Sequence, residues 1–184
     1  EFRRVLFRSL AADRHLNAAY DLHTRLRRAP YEDLANDLSL LAELDWRRGR
    51  PAHADSIGRA SIAMWRALDS GPTAGTAQAL VTLGGINLDL AQVDVAEPLL
   101  REGLAMSQTL YPHGDRSVAR ALNSLGNAMH YRGNFDAADS LHQQALAMDR
   151  RLVGELNPDV LADLLNLAQV ESDRGRFAAA ESLA

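Results

Sequence analysis

Leu38, Leu80, Leu122 and Leu164 are spaced by 42 residues, and so are Leu41, Leu83, Leu125 and Leu167. The same step carries Ala42 to Gly84, Gly126 and Ala168, and Gly49 to Ala91, Gly133 and Gly175. It also carries Ala54 to Ala96, Ala138 and Ala180, and Ile57 to Leu99, Leu141 and Leu183. Four copies agree in length without an insertion or deletion, and self-similarity at a fixed period is the signature of a repeat architecture. One further step back reaches Ala12, Ala19 and Tyr20, but His15 stands where an aliphatic belongs, so the outermost copy is degenerate or out of register.

Within a copy the apolar period is helical. Leu122, Leu125, Gly126 and Met129 fall at i, i+3, i+4 and i+7, one stripe of a helix, and Ala138, Leu141, Ala145 and Leu146 form a second stripe. Each copy therefore predicts two helices joined by a short turn, YRGNF or DRGRF, in which Gly133 and Gly175 suit the left-handed residue at a helix C-terminus. The links between copies carry start signals: Asn157 as N-cap with Pro158 at the first helical position, and Asp115 as the equivalent cap. Pro30 and Pro72 fall in the corresponding earlier links, and Pro51 opens a second helix. Pro98, four residues past Asp94, is expected to stay in the first turn of its helix at the loss of one backbone bond. Gly126, Ala138 and Ala145 read as spacers where helix axes come close, with Leu122, Leu125 and Leu141 filling the space beside them.

Copies such as SLGNAMHYRGNFDAADSLHQQAL and NLAQVESDRGRFAAAESL resemble the tetratricopeptide repeat, in its longer kinesin-light-chain form, down to the NPDV that closes the unit. The resemblance covers roughly residues 31–184 and is firmest over 77–184. Two departures stand out: Pro51 where the other copies have Val93, Phe135 and Phe177, and His142 where the second helix usually packs an aromatic. The resemblance implies an all-α, right-handed superhelical solenoid of antiparallel helix pairs, about nine helices in all. The expected organisation is a non-native or disordered leader over 1–9 and a solenoid over 10–184. The latter divides into a partial repeat at 10–29, repeats at 31–72, 73–114 and 115–156, and a truncated one at 157–184. The leader assignment rests on EFRRVLFRSL, which lacks an initiator Met and a convincing signal-peptide core, and whose RVLFRS resembles a translated sequencing adapter.

Chemistry has little to stand on. All 20 basic residues are arginine, so no phosphate-loop, kinase-strand or Schiff-base lysine exists. The six histidines include no zinc-protease pair, and LGGIN sits mid-helix rather than in a phosphate loop. No catalytic residue, cofactor or metal site is expected. A net charge of −4 with interspersed signs speaks against nucleic acid, and no apolar run approaches a membrane span. The absence of cysteine suits a cytoplasmic location.

A stack of helical pairs instead builds an extended concave surface. The resemblance implies that the first helix of each pair lines it, so the candidate groove residues are those beside the leucine stripe. They are Asn36, Glu43, Trp46 and Arg47 from one copy, Gln78, Val81 and Asp89 from the next, then Arg120, Asn123, Asn127, His130 and Tyr131, and finally Gln169 and Asp173. Asn123 and Asn127 both donate and accept, as recognition of an extended backbone requires, and Trp46, Tyr131 and arginine are typical energetic anchors. The expected function is a scaffold that binds a peptide or partner protein. The alternative is the regulatory or sensing arm of a larger bacterial signalling protein, a kinase or transcription regulator. End-to-end self-association is a third expectation, because Leu183 and Ala184 leave their stripe unpaired.

Overall fold

The computed structural model describes residues 32–68, 71–177 and 180–181. The expected leader at 1–9, the partial repeat at 10–29 and the unpaired stripe at Leu183 and Ala184 lie outside these residues. Among the described residues seven complete helices are seen: α1 Glu32–Arg47, α2 Pro51–Ala67, α3 Ala74–Asp89, α4 Val93–Leu110, α5 Arg116–Tyr131, α6 Phe135–Val153 and α7 Pro158–Asp173. Among the described residues there is no strand. The odd-numbered helices begin 42 residues apart, and so do the even-numbered ones.

The starts and stops follow from local chemistry. Thr73, Asp115 and Asn157, one repeat apart, each precede a first helix in extended conformation, and each side-chain oxygen accepts a backbone N–H of the first turn. At the other end the N–H of Gly133 reaches His130 O at 2.8 Å and that of Asn134 reaches Met129 O at 2.9 Å. This pair of bonds closes the helix with a left-handed residue between them. Residues 49, 91 and 175 repeat the same closure. Three of the four left-handed positions are glycine, but the second is Ala91 at φ +56°.

Pro98 departs from expectation. It lies inside α4, in the second turn rather than the first, so the carbonyl it cannot bond sits within the helix.

Each helix packs antiparallel on the next, and α1–α3, α3–α5 and α5–α7 also touch. Among the described residues the backbones of α2, α4 and α6 never come within 8 Å of one another. First helices crowded together and second helices splayed apart make a curved stack with the first helices on the inner face. The leucine stripe forms its core, with Leu80, Leu83, Leu122, Leu125 and Leu167 all buried. Small residues set the helix spacing. A Cβ at Gly84 would lie 2.5 Å from Leu100, and one at Gly126 would lie 2.6 Å from the His142 ring. His142 thus occupies the place of Leu100 one repeat on, and it is 1% exposed. The spacer reading of Gly126 holds, and its neighbour is the histidine.

Candidate functional site: the concave face

Two adjoining hollows run along the inner face. The first, about 500 Å³, is lined by Glu43, Trp46, Arg47, Val81, Asp89 and Arg120, with Thr82 and Ser124. The second, about 420 Å³, shares Trp46, Asp89 and Ser124 and adds Gly85, Leu88, Asn127, His130, Tyr131 and Gln169. These residues come from four different helices, and only the stacking of α1, α3, α5 and α7 brings them together.

Trp46 is the partition between the hollows. Its indole lies against Gly85, where a Cβ would come within 2.5 Å of the ring, and its Nε1 donates to Asp89 Oδ2 at 2.5 Å. A tryptophan held by a bond at one edge and a glycine beneath is a rigid apolar platform. Tyr131, more than half exposed, supplies a second apolar surface in the adjoining hollow.

Charge in the groove is mostly spoken for. Glu43 is bound by Arg47 at 2.6 Å, and Asp173 is bonded by His130 Nε2 at 2.7 Å and by Gln169 at 3.0 Å. The Asp173 carboxyl is held below its usual range, first by the Gln169 bond and then by His130. Arg120 is different: among the described residues it has no hydrogen bond or close ion pair. Desolvation by the concave wall pushes its guanidinium below the usual value; facing Glu43 opposes this, while Arg47 and Arg116 reinforce it.

The remaining candidates fall elsewhere. Asn36 is exposed on α1 and lines neither hollow, and Gln78 bonds Thr82 at 3.0 Å. Asn123, half-buried, lines a further hollow with Arg116 and Arg120, and its amide is turned toward the packed helices. Its Nδ2 donates to Asp163, and its Oδ1 meets His142 Nδ1 at 2.8 Å. Both ends of the amide are therefore engaged inside the stack. Burial lowers the His142 pKa to about 4, helped by repulsion from His130 and opposed by Asp139, so the imidazole is neutral and Nδ1 donates to Asn123. Thr82 and Ser124 are not among the residues expected from sequence. They lie one residue past the Val81 and Asn123 column, and only the rotation of the packed helices turns them into the hollows.

Among the described residues no group of His, Asp and Glu is arranged to hold a metal ion, and no helix is long and apolar enough to cross a membrane.

Residues 117–184 match the tetratricopeptide repeat family model. The chain folds as an all-α solenoid of the tetratricopeptide-repeat type. Among solved structures it resembles BtubC (BKLC) from P. vanneervenii, with 26% identity and a TM-score of 0.81 over 99% of this chain and 72% of that one. It also resembles the nearly identical TPR-like repeats of a Podosopora anserina protein assigned to the kinesin light chains, at 18% identity and TM-score 0.75 over 95% and 83%. A Rap protein complexed with Competence and Sporulation Factor shares the fold at 14% identity and TM-score 0.72, over 82% of this chain but 41% of that one. No curated protein sequence matches.

Proposed function

We propose that this tetratricopeptide-repeat solenoid is a binding scaffold, not an enzyme, and that it takes an extended polypeptide segment along its concave face. The observation that carries the reading is the pairing of a fixed indole platform, Trp46, with the unpaired guanidinium of Arg120 across one hollow. Binding surfaces concentrate their energy in such desolvated aromatic and arginine anchors. Asn127 and Gln169 in the adjoining hollow add amides able to bond a ligand backbone in both senses. A relative of the same fold, the Rap protein, was crystallised with a bound factor, which supports ligand capture by such a stack.

Selection from a peptide-display library tests the reading. Parent protein should enrich a consistent segment, and Trp46→Leu and Arg120→Gln, both folded by circular dichroism, should each lose most of it. Undiminished capture by both folded variants would remove the concave face as the site.

A further inference from the structure

Among the described residues three junctions join successive repeats, and the same three sequence columns recur at each. At the first, Trp65 from the second helix packs on Gly75, where any Cβ would collide with the indole, and clusters with buried Ala79. At the second, the corresponding residues are Ser107, Ser117 and Ala121. At the third they are Asp149, Asp159 and Asp163. Positions filled elsewhere by an indole or by small residues here carry three carboxyls, set beside the apolar contact of Leu146 and Val153 with Val160, Leu164 and Leu167.

Two of these carboxyls are buried: Asp149 is 5% exposed and Asp163 fully covered. They face each other within hydrogen-bonding reach. Asp163 Oδ1 accepts from Asn123, but Asp163 Oδ2 and Asp149 Oδ1 are buried without a partner among the described residues. Two orphaned carboxylate oxygens at one junction are costly, and a proton shared between the two carboxyls relieves their repulsion. Compensating charge is scarce. From α5 the facing groups are Arg116, which is already paired with Asp159, Arg120 across the adjoining hollow, and the Asn123 amide, whose other end is tied to neutral His142 of α6. From α7 they are Asp163 and Asp159, and Asp159 adds repulsion. A hollow of about 500 Å³, lined by Arg116, Arg120, Asn123, Asp149 and Asp159, opens beside the pair and gives water a route to it.

We propose that the α6–α7 junction is a proton-coupled joint, in which Asp149 donates a shared proton to Asp163 and loss of that proton loosens the packing of α7 on α6 beside their apolar contact. Burial, then the facing Asp163 and Asp159, raise the Asp149 pKa to about 6, against the pull of Arg116. The joint is therefore closed in mild acid and loosens as pH rises through that value. Since α7 carries Gln169 and Asp173, the joint sets how the last rung meets the rest of the concave face.

Hydrogen exchange of the whole chain, corrected for intrinsic rates, reads the joint directly. Between about pH 5 and 7.5, protection of α7 relative to α3 and α4 should fall about tenfold as the shared proton is lost. Asp149→Asn supplies a neutral donor at every pH, so its α7 protection should not change across the range. Asp149→Ser, the residue of the preceding junction, serves as a second neutral variant should the first fail to fold. The His130–Asp173 pair also joins α5 to α7, and both variants leave it intact. A flat profile in the parent, or a parental slope retained in the folded neutral variant, overturns the proposal.

Discussion

The Trp46–Asp89 bond recurs two repeats further along as His130–Asp173: in each, an aromatic ring nitrogen near the end of one first helix meets the carboxylate ending the next first helix. The intervening rung pairs Leu88 with Tyr131, which carry no such polar match. The inner face thus alternates polar ties with an apolar step. Asp89 should matter chiefly by holding the indole. Asp89→Leu should keep the fold yet weaken capture of a groove ligand, while Gly85→Ala should displace the indole and do the same. A ligand affinity unchanged in both variants would show that the Trp46 orientation is irrelevant to binding.

Ala91 is the one non-glycine in a left-handed column otherwise held by Gly49, Gly133 and Gly175. A Cβ there crowds its own backbone, and the N–H groups of Ala91 and Gln92 still close the helix in the usual way. Ala91→Gly should therefore stabilise the protein by about 0.5–1 kcal/mol in chemical denaturation, because the strain relieved outweighs the added freedom of the unfolded chain. A destabilised variant would refute this account of the turn.

The core stripe gives a prediction of the opposite sign. Leu125 is almost fully buried, and Leu125→Ala should cost about 2–5 kcal/mol. Gly126→Leu should also destabilise, because its side chain would enter the His142 ring, whose Nε2 would stand only 2.8 Å from the first added carbon. Parental melting of either variant would mean that the stripe does not pack as described.

Much of this is legible in the sequence. The 42-residue step locates the helix starts, the caps at Asp115 and Asn157 and the turns at Gly133 and Gly175, because each depends on one residue and its near neighbours. The columns beside the leucines pick out Trp46, Arg120, Asn127 and Tyr131 on one continuous face. Pattern reading sets Pro98 a turn too early because Asp94 resembles a start signal, whereas the helix begins at Val93 and simply carries the proline. Asn123 is harder. Its column reads as groove, yet two buried partners, His142 and Asp163, lie in other helices at distances no local pattern encodes. The acidic joint is hidden for the same reason: Asp149 and Asp163 look like solvated surface until α6 and α7 are packed together.

His142 and Asp149 end the same buried chain through Asn123 and Asp163, and they titrate in opposite senses. The folded His142 pKa, about 4, lies below the unfolded value, so the unfolded chain binds more protons between those limits and stability rises with pH there. The folded Asp149 pKa, about 6, lies above its unfolded value, so the native state binds more protons and stability falls with pH over nearly the same window. The two slopes oppose each other between about pH 4 and 6. Removing one should expose the other. Relative to the parent, Asp149→Asn should gain stability steadily as pH rises from about 4 to 6, through the histidine contribution now unopposed. His142→Leu, which restores the glycine–leucine contact seen at Gly84 and Leu100, should lose stability over the same range. Melting curves of the three proteins across that range decide the matter. Parallel pH profiles for parent and both variants would mean that neither group is held away from its unfolded titration, and the buried chain would lose its electrostatic role.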